Sequence, residues 1–297
     1  MSETLTPHLR LSMTLGEGLH WDPENQALYW VDIIGGQLHR LAPDSGHHTT
    51  VDQGEAITCV VRRTDGGLLA AMRSGIWLLD DTGHKQQQLV EAPEDTHDHR
   101  FNDGGTDPAG RFWIGTMNEA QSAADASLYC YDGQTLSPRL SDMTITNGLA
   151  FSPDGRWMYH TDTPTRIIRR HPFDADTGKL GAGETWVDLN RLDIEGYPDG
   201  AAVDAEGYYW TALFGGAAVA RFDPAGTLVS HHPMSALQPT MPAFGGTDGR
   251  TLFVTTAREG MDEDTIAQWP DSGSLFSMQV DTPGRPAPAF KAAPANA

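Results

Sequence analysis

A turn rich in Asp, Gly and Pro recurs six times along the 297-residue chain and restricts the possible folds more than any other feature. Successive turns lie 41 to 52 residues apart, and they begin at Asp22, Arg63, Asp107, Ser152, Asp204 and Gly246. Short β-rich segments follow each turn, such as LYWV at 28–31 and QLHRLA at 37–42 after the first. A period of about 40–50 residues that contains several antiparallel strands is typical of propeller blades. The sequence therefore predicts an all-β fold, a six-bladed β-propeller.

The ring of blades has to close, because each blade buries both faces against its neighbours and an open array would expose a hydrophobic end. The alternating residues 8–13 (HLRLSM) are predicted to form an N-terminal strand that pairs with the last blade and closes the ring. Six units of about 45 residues use roughly 270 of the chain. We therefore expect a single domain over residues 1–282 and a mobile Pro/Ala-rich tail over 283–297. An irregular β-sandwich is the alternative, and the six aligned turns disfavour it.

Composition excludes several classes of partner. The chain has 20 Lys and Arg against 40 Asp and Glu, a net charge of −20, which repels nucleic acids and anionic membranes. Only Cys59 and Cys130 occur, which disfavours a disulfide scaffold or a thiolate metal site. The sequence contains no signal-peptide pattern and no apolar run long enough to span a membrane, so the cytoplasm is the expected compartment.

One position in each repeat is expected to face the central channel, where the chain enters the innermost strand of a blade. This position, five residues before each turn, holds Glu17, Thr58, Asn102, Asn147, Asp199 and Met241. Four of the six are Asp, Glu or Asn, and glycine follows three of those four. Glycine lets the backbone pass close to a bound group.

Two carboxylates and two amides on one axis would be costly to bury without a cation. Oxygen ligands suit one hard divalent ion, with Ca²⁺ favoured, Mg²⁺ and Mn²⁺ as alternatives, and Zn²⁺ and Fe²⁺ as further candidates. The competing interpretation is that these residues only cap the turns between strands, as Asn and Asp often do. Spacing alone leaves both interpretations open.

Four ordered motifs resemble the SMP-30/gluconolactonase/luciferin-regenerating-enzyme family, which includes regucalcin and the bacterial sugar-acid lactonases. The motifs are LGEGLHWD at 15–22, RFNDGGTDPAGRFWIGTM at 100–117, ITNGLAFSPDGR at 145–156 and YPDGAAVDAEGYYWTAL at 197–213. The resemblance extends over about residues 9–282. It implies a six-bladed propeller with one catalytic divalent metal in the channel.

The resemblance also implies roles for individual residues. Glu17, Asn147 and Asp199 match the family's three metal ligands, and Asp199 matches its proposed general base. Arg100 and Asn102 match residues that hold the hydroxyls of the substrate, and Asn102 is also a candidate for an approach to the metal.

The sequence departs from the family pattern at two places. Leu19 replaces the usual proline after the GEG motif, which should affect the turn more than the ligand. Animal members carry two acids after the GTM motif, whereas Glu119 is the single acid here, and we retain it as a candidate substrate contact. The segments YHTD, WTALFGG and TTAREGMDEDTIAQWP most resemble bacterial pentonolactone and related aldonolactone hydrolases.

The function implied is hydrolysis of a sugar-acid lactone to the aldonic acid in carbohydrate catabolism, with a small-molecule lactone as the partner. In this hypothesis Asp199 moves protons while the metal polarises the carbonyl. A metal-dependent phosphotriesterase and a non-enzymatic calcium-binding propeller are the alternatives. The identity of the lactone, its ring size, the native metal and the oligomeric state are left open by the sequence.

Overall fold

Six antiparallel sheets surround a central channel in the computed structural model, which describes residues 4–291. The first strand of the chain is β1 (Thr6–Leu9). Blade 1 contains β2 (Gly16–Asp22), β3 (Ala27–Asp32), β4 (Gln37–Ala42) and β5 (His47–Asp52). Blade 2 contains β6 (Ile57–Arg62), β7 (Leu68–Met72), β8 (Gly75–Leu79) and β9 (Lys85–Glu91). Blade 3 contains β10 (His99–Thr106), β11 (Phe112–Asn118), β12 (Ala126–Tyr131) and β13 (Leu136–Met143).

The other three blades repeat this arrangement with small variations. Blade 4 contains β14 (Thr146–Phe151), β15 (Trp157–Asp162), β16 (Ile167–Asp174), β17 (Lys179–Leu180) and β18 (Glu184–Asp188). Blade 5 contains β19 (Tyr197–Val203), β20 (Tyr209–Phe214), β21 (Ala218–Phe222) and β22 (Leu228–Pro233). Blade 6 contains β23 (Gln238–Gly245), β24 (Thr251–Ala257), β25 (Leu275–Gln279) and β1. The prediction of a six-bladed propeller is confirmed.

The ring closes in two places at once. On the outside, β1 pairs antiparallel with β25, so the outermost strand of blade 6 comes from the N-terminus, as predicted. The strand is shorter than the predicted segment 8–13, because after Leu9 the chain leaves the sheet and the Met13 amide donates to the carbonyl of Gly273. On the inside, the innermost strand of each blade contacts that of the next around the whole ring.

The recurring turn owes its composition to hydrogen bonds. In blade 5 the buried Asp204 accepts bonds from the amides of Glu206 and Tyr208 at 3.0 Å, which folds the turn back on its own carboxylate. Its second oxygen accepts from the indole of Trp210, and Asp107 and Trp113 repeat this contact in blade 3. The turn thus pins the innermost strand of a blade to the next strand.

Helical structure is minor among residues 4–291. It consists of two single-turn 3₁₀ segments, Thr163–Thr165 and Leu189–Arg191, and one short helix, α1 (Glu263–Gln268). The carboxylate of Asp262 caps α1 by accepting from the Thr265 amide at 2.8 Å. Within the described part of the chain no helix is long and apolar enough to span a membrane.

Residues 283–291, which we call the C-terminal strap, lie across the end of the channel where the innermost strands finish. The strap amides of Phe290 and Lys291 donate to carbonyls in blades 2 and 3, and the buried Phe290 ring stacks on Tyr131. These contacts give the position of the strap and do not measure its motion. The mobility expected for the tail stays a prediction, and so does the domain boundary at 282. Residues 292–297 of the predicted tail lie outside the described part of the chain.

Between the strap and the middle of the channel lies a cavity of about 210 Å³. Its walls are mostly apolar and come from all six innermost strands, and its floor is formed by residues 285–288 of the strap. We call this the lower end of the channel, and the end where the innermost strands begin the upper end.

Candidate active site

All six innermost strands have an irregularity in their pairing at the position that was predicted to face the channel. In blade 1 the regular pairing stops at Glu17 and resumes at His20, and in blade 4 it stops at Asn147 and resumes at Ala150. Equivalent shifts occur between Ile57 and Cys59, Phe101 and Gly104, Pro198 and Ala201, and Pro239 and Pro242. A bulge of this kind changes the direction of a side chain, which is why bulges are frequent beside active sites.

Glycine is required at two of the bulges. Gly18 and Gly148 have φ angles of +58° and +66°, a region that other residues rarely adopt. A Cβ atom at Gly148 would also lie 2.6 Å from the hydroxyl of Tyr209, which donates a hydrogen bond to the Gly148 carbonyl. The glycines that follow Glu17 and Asn147 therefore allow the backbone conformation that orients these two side chains.

Two carboxylates, from blades 1 and 5, lie near each other at the upper end. Glu17 and Asp199 are both buried, each with 7% of its surface exposed. Burial and the nearby Asp103 raise the pKa of Glu17 to about 8. Burial, followed by the charge of Glu17, raises the pKa of Asp199 well above its ordinary value. The two groups therefore repel each other when both are ionised.

Amide and guanidinium groups line the wall beside these carboxylates. Arg100 Nη1 donates to Oδ1 of Asn102 at 2.7 Å, and Nδ2 of Asn102 donates to Oδ1 of Asn147 at 2.9 Å. Nδ2 of Asn102 also donates to the carbonyl of Thr146 at 2.9 Å. The structure thus brings Arg100, Asn102 and Asn147 together, and it uses both amide hydrogens of Asn102 within the protein.

Arg100 has unused donors. It is buried, which lowers its pKa, and both of its hydrogen bonds come from Nη1, so its Nη2 has no hydrogen-bond partner among residues 4–291. Glu119 lies close to it, with 3.6 Å between Oε1 and Arg100 Nε. The Glu119 carboxylate itself is held by two hydrogen bonds from Arg73, at 2.7 and 3.0 Å, and these lower its pKa. Its predicted role as a substrate contact stays a prediction.

Three further residues lie at the upper end, and the sequence analysis assigned none of them a role. Asp103 stands where three other blades have glycine, and it accepts from the Leu149 amide while burial raises its pKa to about 7. Glu259, in the loop after β24, is near enough to raise the pKa of Asp199. Thr163 touches Asn147, with 2.9 Å between its Oγ1 and Asn147 Nδ2. Only Asp103 carried a signal, since it interrupts the glycine pattern.

The donor set at the upper end fits a hard divalent cation. No group of three or more His, Cys, Asp or Glu side chains within the described ranges is placed to hold a metal, so a cation here would need an amide oxygen, such as that of Asn147, beside the carboxylates. Burial and neighbouring carboxylates raise the pKa values of Glu17 and Asp199, and a positive charge between the two would relieve this cost. Oxygen-only donors are the ligands that Ca²⁺, Mg²⁺ and Mn²⁺ prefer.

Comparison with known proteins places the chain in a family. The family model described as SMP-30/Gluconolactonase/LRE-like region matches residues 15–258, which include Glu17, Arg100, Asn147 and Asp199. The chain belongs to this family. The predicted resemblance to the SMP-30/gluconolactonase family is therefore confirmed.

Individual members of the SMP-30/gluconolactonase family are similar over almost their whole length. The chain is 41% identical over 291 residues to a 6-deoxy-6-sulfogluconolactonase from Pseudomonas putida, covering 98% of this chain and 99% of that one. It is 35% identical to a pentonolactonase from Haloferax volcanii, covering 95% and 97%. Among solved structures, a calcium-binding protein, regucalcin, from Agrobacterium tumefaciens has a TM-score of 0.91 at 33% identity over 96% of each chain.

Proposed function

We propose that this protein is a metal-dependent lactonase that hydrolyses a sugar-acid lactone to the aldonic acid in carbohydrate catabolism. The observation that carries the proposal is the pair of buried carboxylates, Glu17 and Asp199, that share the upper end of the channel with Asn147 and Arg100. This end offers oxygen donors for a cation and, from Arg100, a donor for a polyhydroxylated ligand.

The predicted enzyme class, a lactonase, is confirmed by relatives that are named for sugar-lactone hydrolysis at 41% and 35% identity. The metal dependence, the catabolic role and the cytoplasmic location belong to our proposal. The calcium-binding regucalcin, at 33% identity, supports a divalent ion, and we favour Ca²⁺.

Glu17, Asn147 and Asp199 would hold the cation through their side-chain oxygens. When bound, a divalent cation polarises the lactone carbonyl and lowers the pKa of the attacking water. The three side chains come from blades 1, 4 and 5, so the closed ring and its bulges keep them at fixed positions.

Asp199 is the residue we assign to proton transfer. Its carboxylate accepts a proton from the attacking water as the new carbon–oxygen bond forms. It returns that proton to the ring oxygen as the acyl–oxygen bond breaks, so the product is a hydroxy acid. The buried position of Asp199 keeps bulk water from competing for the proton.

Arg100 and Asn102 are assigned to substrate positioning. The free Nη2 of Arg100 would donate to a hydroxyl of the sugar acid, and the bond from Nη1 to Asn102 keeps the guanidinium in place. Glu119, held by Arg73, would contact the substrate from the rim of the channel. Fixed donors of this kind favour the geometry in which water attacks the carbonyl.

A titration assay tests the proposal, because opening a lactone releases acid. Protein stripped of metal is assayed with a panel of aldonolactones, before and after addition of Ca²⁺, Mn²⁺, Mg²⁺ or Zn²⁺. We expect chelation to abolish acid release and at least one ion to restore it. Full activity in verified metal-free protein would contradict the metal dependence. Phosphotriester hydrolysis without lactone opening would favour the phosphotriesterase. Metal binding without any turnover would favour the non-enzymatic calcium-binding propeller.

A further inference from the structure

Thr163 joins two of the candidate metal ligands from outside the ligand set. It lies directly after β15 of blade 4, and its amide donates to the carbonyl of Ile145 at 3.1 Å. Its hydroxyl oxygen accepts from Nδ2 of Asn147 at 2.9 Å. The same hydroxyl donates to the carbonyl of Pro198, also at 2.9 Å, and Pro198 directly precedes Asp199.

The donor and acceptor groups involved fix the direction of each hydrogen bond that links Thr163, Asn147 and Asn102. A hydroxyl has one hydrogen, and a backbone carbonyl can only accept, so the Thr163 hydrogen is committed to Pro198. Thr163 then offers only lone pairs to Asn147, and only the amide nitrogen of Asn147 can bond to it. At the other end, the guanidinium of Arg100 is purely a donor, which forces Oδ1 of Asn102 toward it and Nδ2 of Asn102 toward Asn147.

Both ends of this hydrogen-bonded chain therefore impose the same orientation on Asn147. Its nitrogen faces Thr163, and its oxygen faces Asn102. An amide turned by 180° would place its oxygen against the Thr163 oxygen and its NH₂ group against Nδ2 of Asn102, so that neither hydrogen bond could form. That orientation would provide no third oxygen donor for a cation.

We propose that Thr163 is a positioning residue, which presents Oδ1 of Asn147 to a divalent cation at the upper end and ties Asn147 to the backbone before Asp199. This inference rests on the metal centre of the proposed function. Because Thr163 acts through Asn147, its loss should weaken binding of the cation and leave turnover by the loaded enzyme close to normal.

The test compares four variants with the wild type. Thr163→Val keeps the shape of the side chain and removes the hydroxyl. Thr163→Ala also removes the hydroxyl and is smaller, which provides a second test if the valine variant does not fold. Thr163→Ser keeps the hydroxyl. Thr106→Val is the matched control, because the Thr106 hydroxyl also donates to a backbone carbonyl, that of Pro288, but at the lower end of the channel.

Affinity for Mn²⁺ and Ca²⁺ is measured by titration calorimetry on metal-stripped protein, with no lactone present. We expect Thr163→Val and Thr163→Ala to bind about 10- to 100-fold more weakly, the usual effect of losing a residue that orients a ligand. Thr163→Ser should stay within about threefold of the wild type, and Thr106→Val should match it. In initial-rate assays, kcat at saturating metal should fall by less than about fivefold in Thr163→Val.

Three results would overturn the inference: wild-type affinity in both variants without a hydroxyl, an equal loss in Thr106→Val, or a wild type that takes up neither ion. The outcome is separate from that of the lactonase proposal. A loss of affinity confined to Thr163→Val and Thr163→Ala supports the positioning role, even if the wild type opens no lactone in the panel.

Discussion

The two ends of the channel are built from the same six strands but have opposite character. At the upper end, Glu17, Asp103, Asp199 and Arg100 are buried together, and burial moves the pKa of each away from its ordinary value. At the lower end the walls are mostly apolar, and the C-terminal strap closes the cavity with Phe290 packed beside it. The upper end carries charges that burial makes costly, while the lower end contributes apolar packing that stabilises the fold.

The bulge in each innermost strand separates the two. In β2, Glu17 stands before the bulge and Trp21 after it, only four positions along the chain. One strand can therefore carry a charged site residue at its beginning and a packed apolar residue at its end. The comparison predicts that changes at the upper end alter activity with limited effect on folding, and that changes at the lower end do the reverse.

The largest effect is expected for Asp199→Asn. Asparagine keeps the shape of the side chain and an oxygen for a cation, but it cannot accept a proton at neutral pH. We expect kcat to fall by about two to four decades, the usual contribution of a general base, in titration assays at saturating metal. Activity within a few-fold of the wild type in fully loaded protein would reduce Asp199 to a ligand and leave the proton transfer to the metal or Glu17.

The next effect concerns Glu17 and the stability of the metal-free protein. The Glu17 carboxyl titrates near its ordinary pKa of 4.5 in the unfolded chain and at about 8 in the folded one. The folded state therefore holds the proton more tightly, and stability is lost as pH rises through this window. Between pH 5 and 8 the unfolding free energy of Glu17→Gln should gain about 3–4 kcal/mol relative to the wild type. Urea denaturation in chelator measures this, and parallel pH profiles would contradict it.

The lower end is tested by Phe290→Ala. This ring is buried and stacks on Tyr131 with 5.8 Å between centroids. Its removal should lower the unfolding free energy by about 3 kcal/mol, as for other buried aromatic rings, and leave kcat unchanged at a temperature where the variant is folded. A tenfold loss of kcat with unchanged metal content would show that the strap supports the upper end and would end the distinction between the two.

The smallest effect is expected for Arg100→Ala. Charged hydrogen bonds contribute about 1.5–3 kcal/mol, so kcat/KM on polyhydroxylated lactones should fall by roughly one to two decades. Metal content should stay near stoichiometric, and Arg156→Ala, an exposed arginine in the blade 4 turn, should behave as the wild type. If Arg100→Ala instead loses its metal or unfolds, the role of Arg100 is structural and not substrate positioning.

Features that depend on position within the repeat could be predicted from the sequence. The recurring turn predicted six blades, and the position five residues before it coincides with the bulge in all six innermost strands. No pattern predicted that Arg73 in another blade holds the carboxylate of Glu119, because the two residues are 46 positions apart. The strap likewise reads as an ordinary Pro/Ala-rich tail until its contacts with blades 2 and 3 are seen.

The sequence by itself determined the number of blades, the closing role of the N-terminal strand, the family and the position in each repeat that coincides with the bulge of the innermost strand. These features are local or periodic, so the spacing of turns and strands along the chain encodes them. Only the tertiary structure decided which way the Asn147 amide points and what Thr163 does. Those roles depend on hydrogen bonds within blade 4 and from blade 4 to its two neighbours. The partners in these bonds are 16 to 45 positions apart in the chain, so packing and not local sequence sets them.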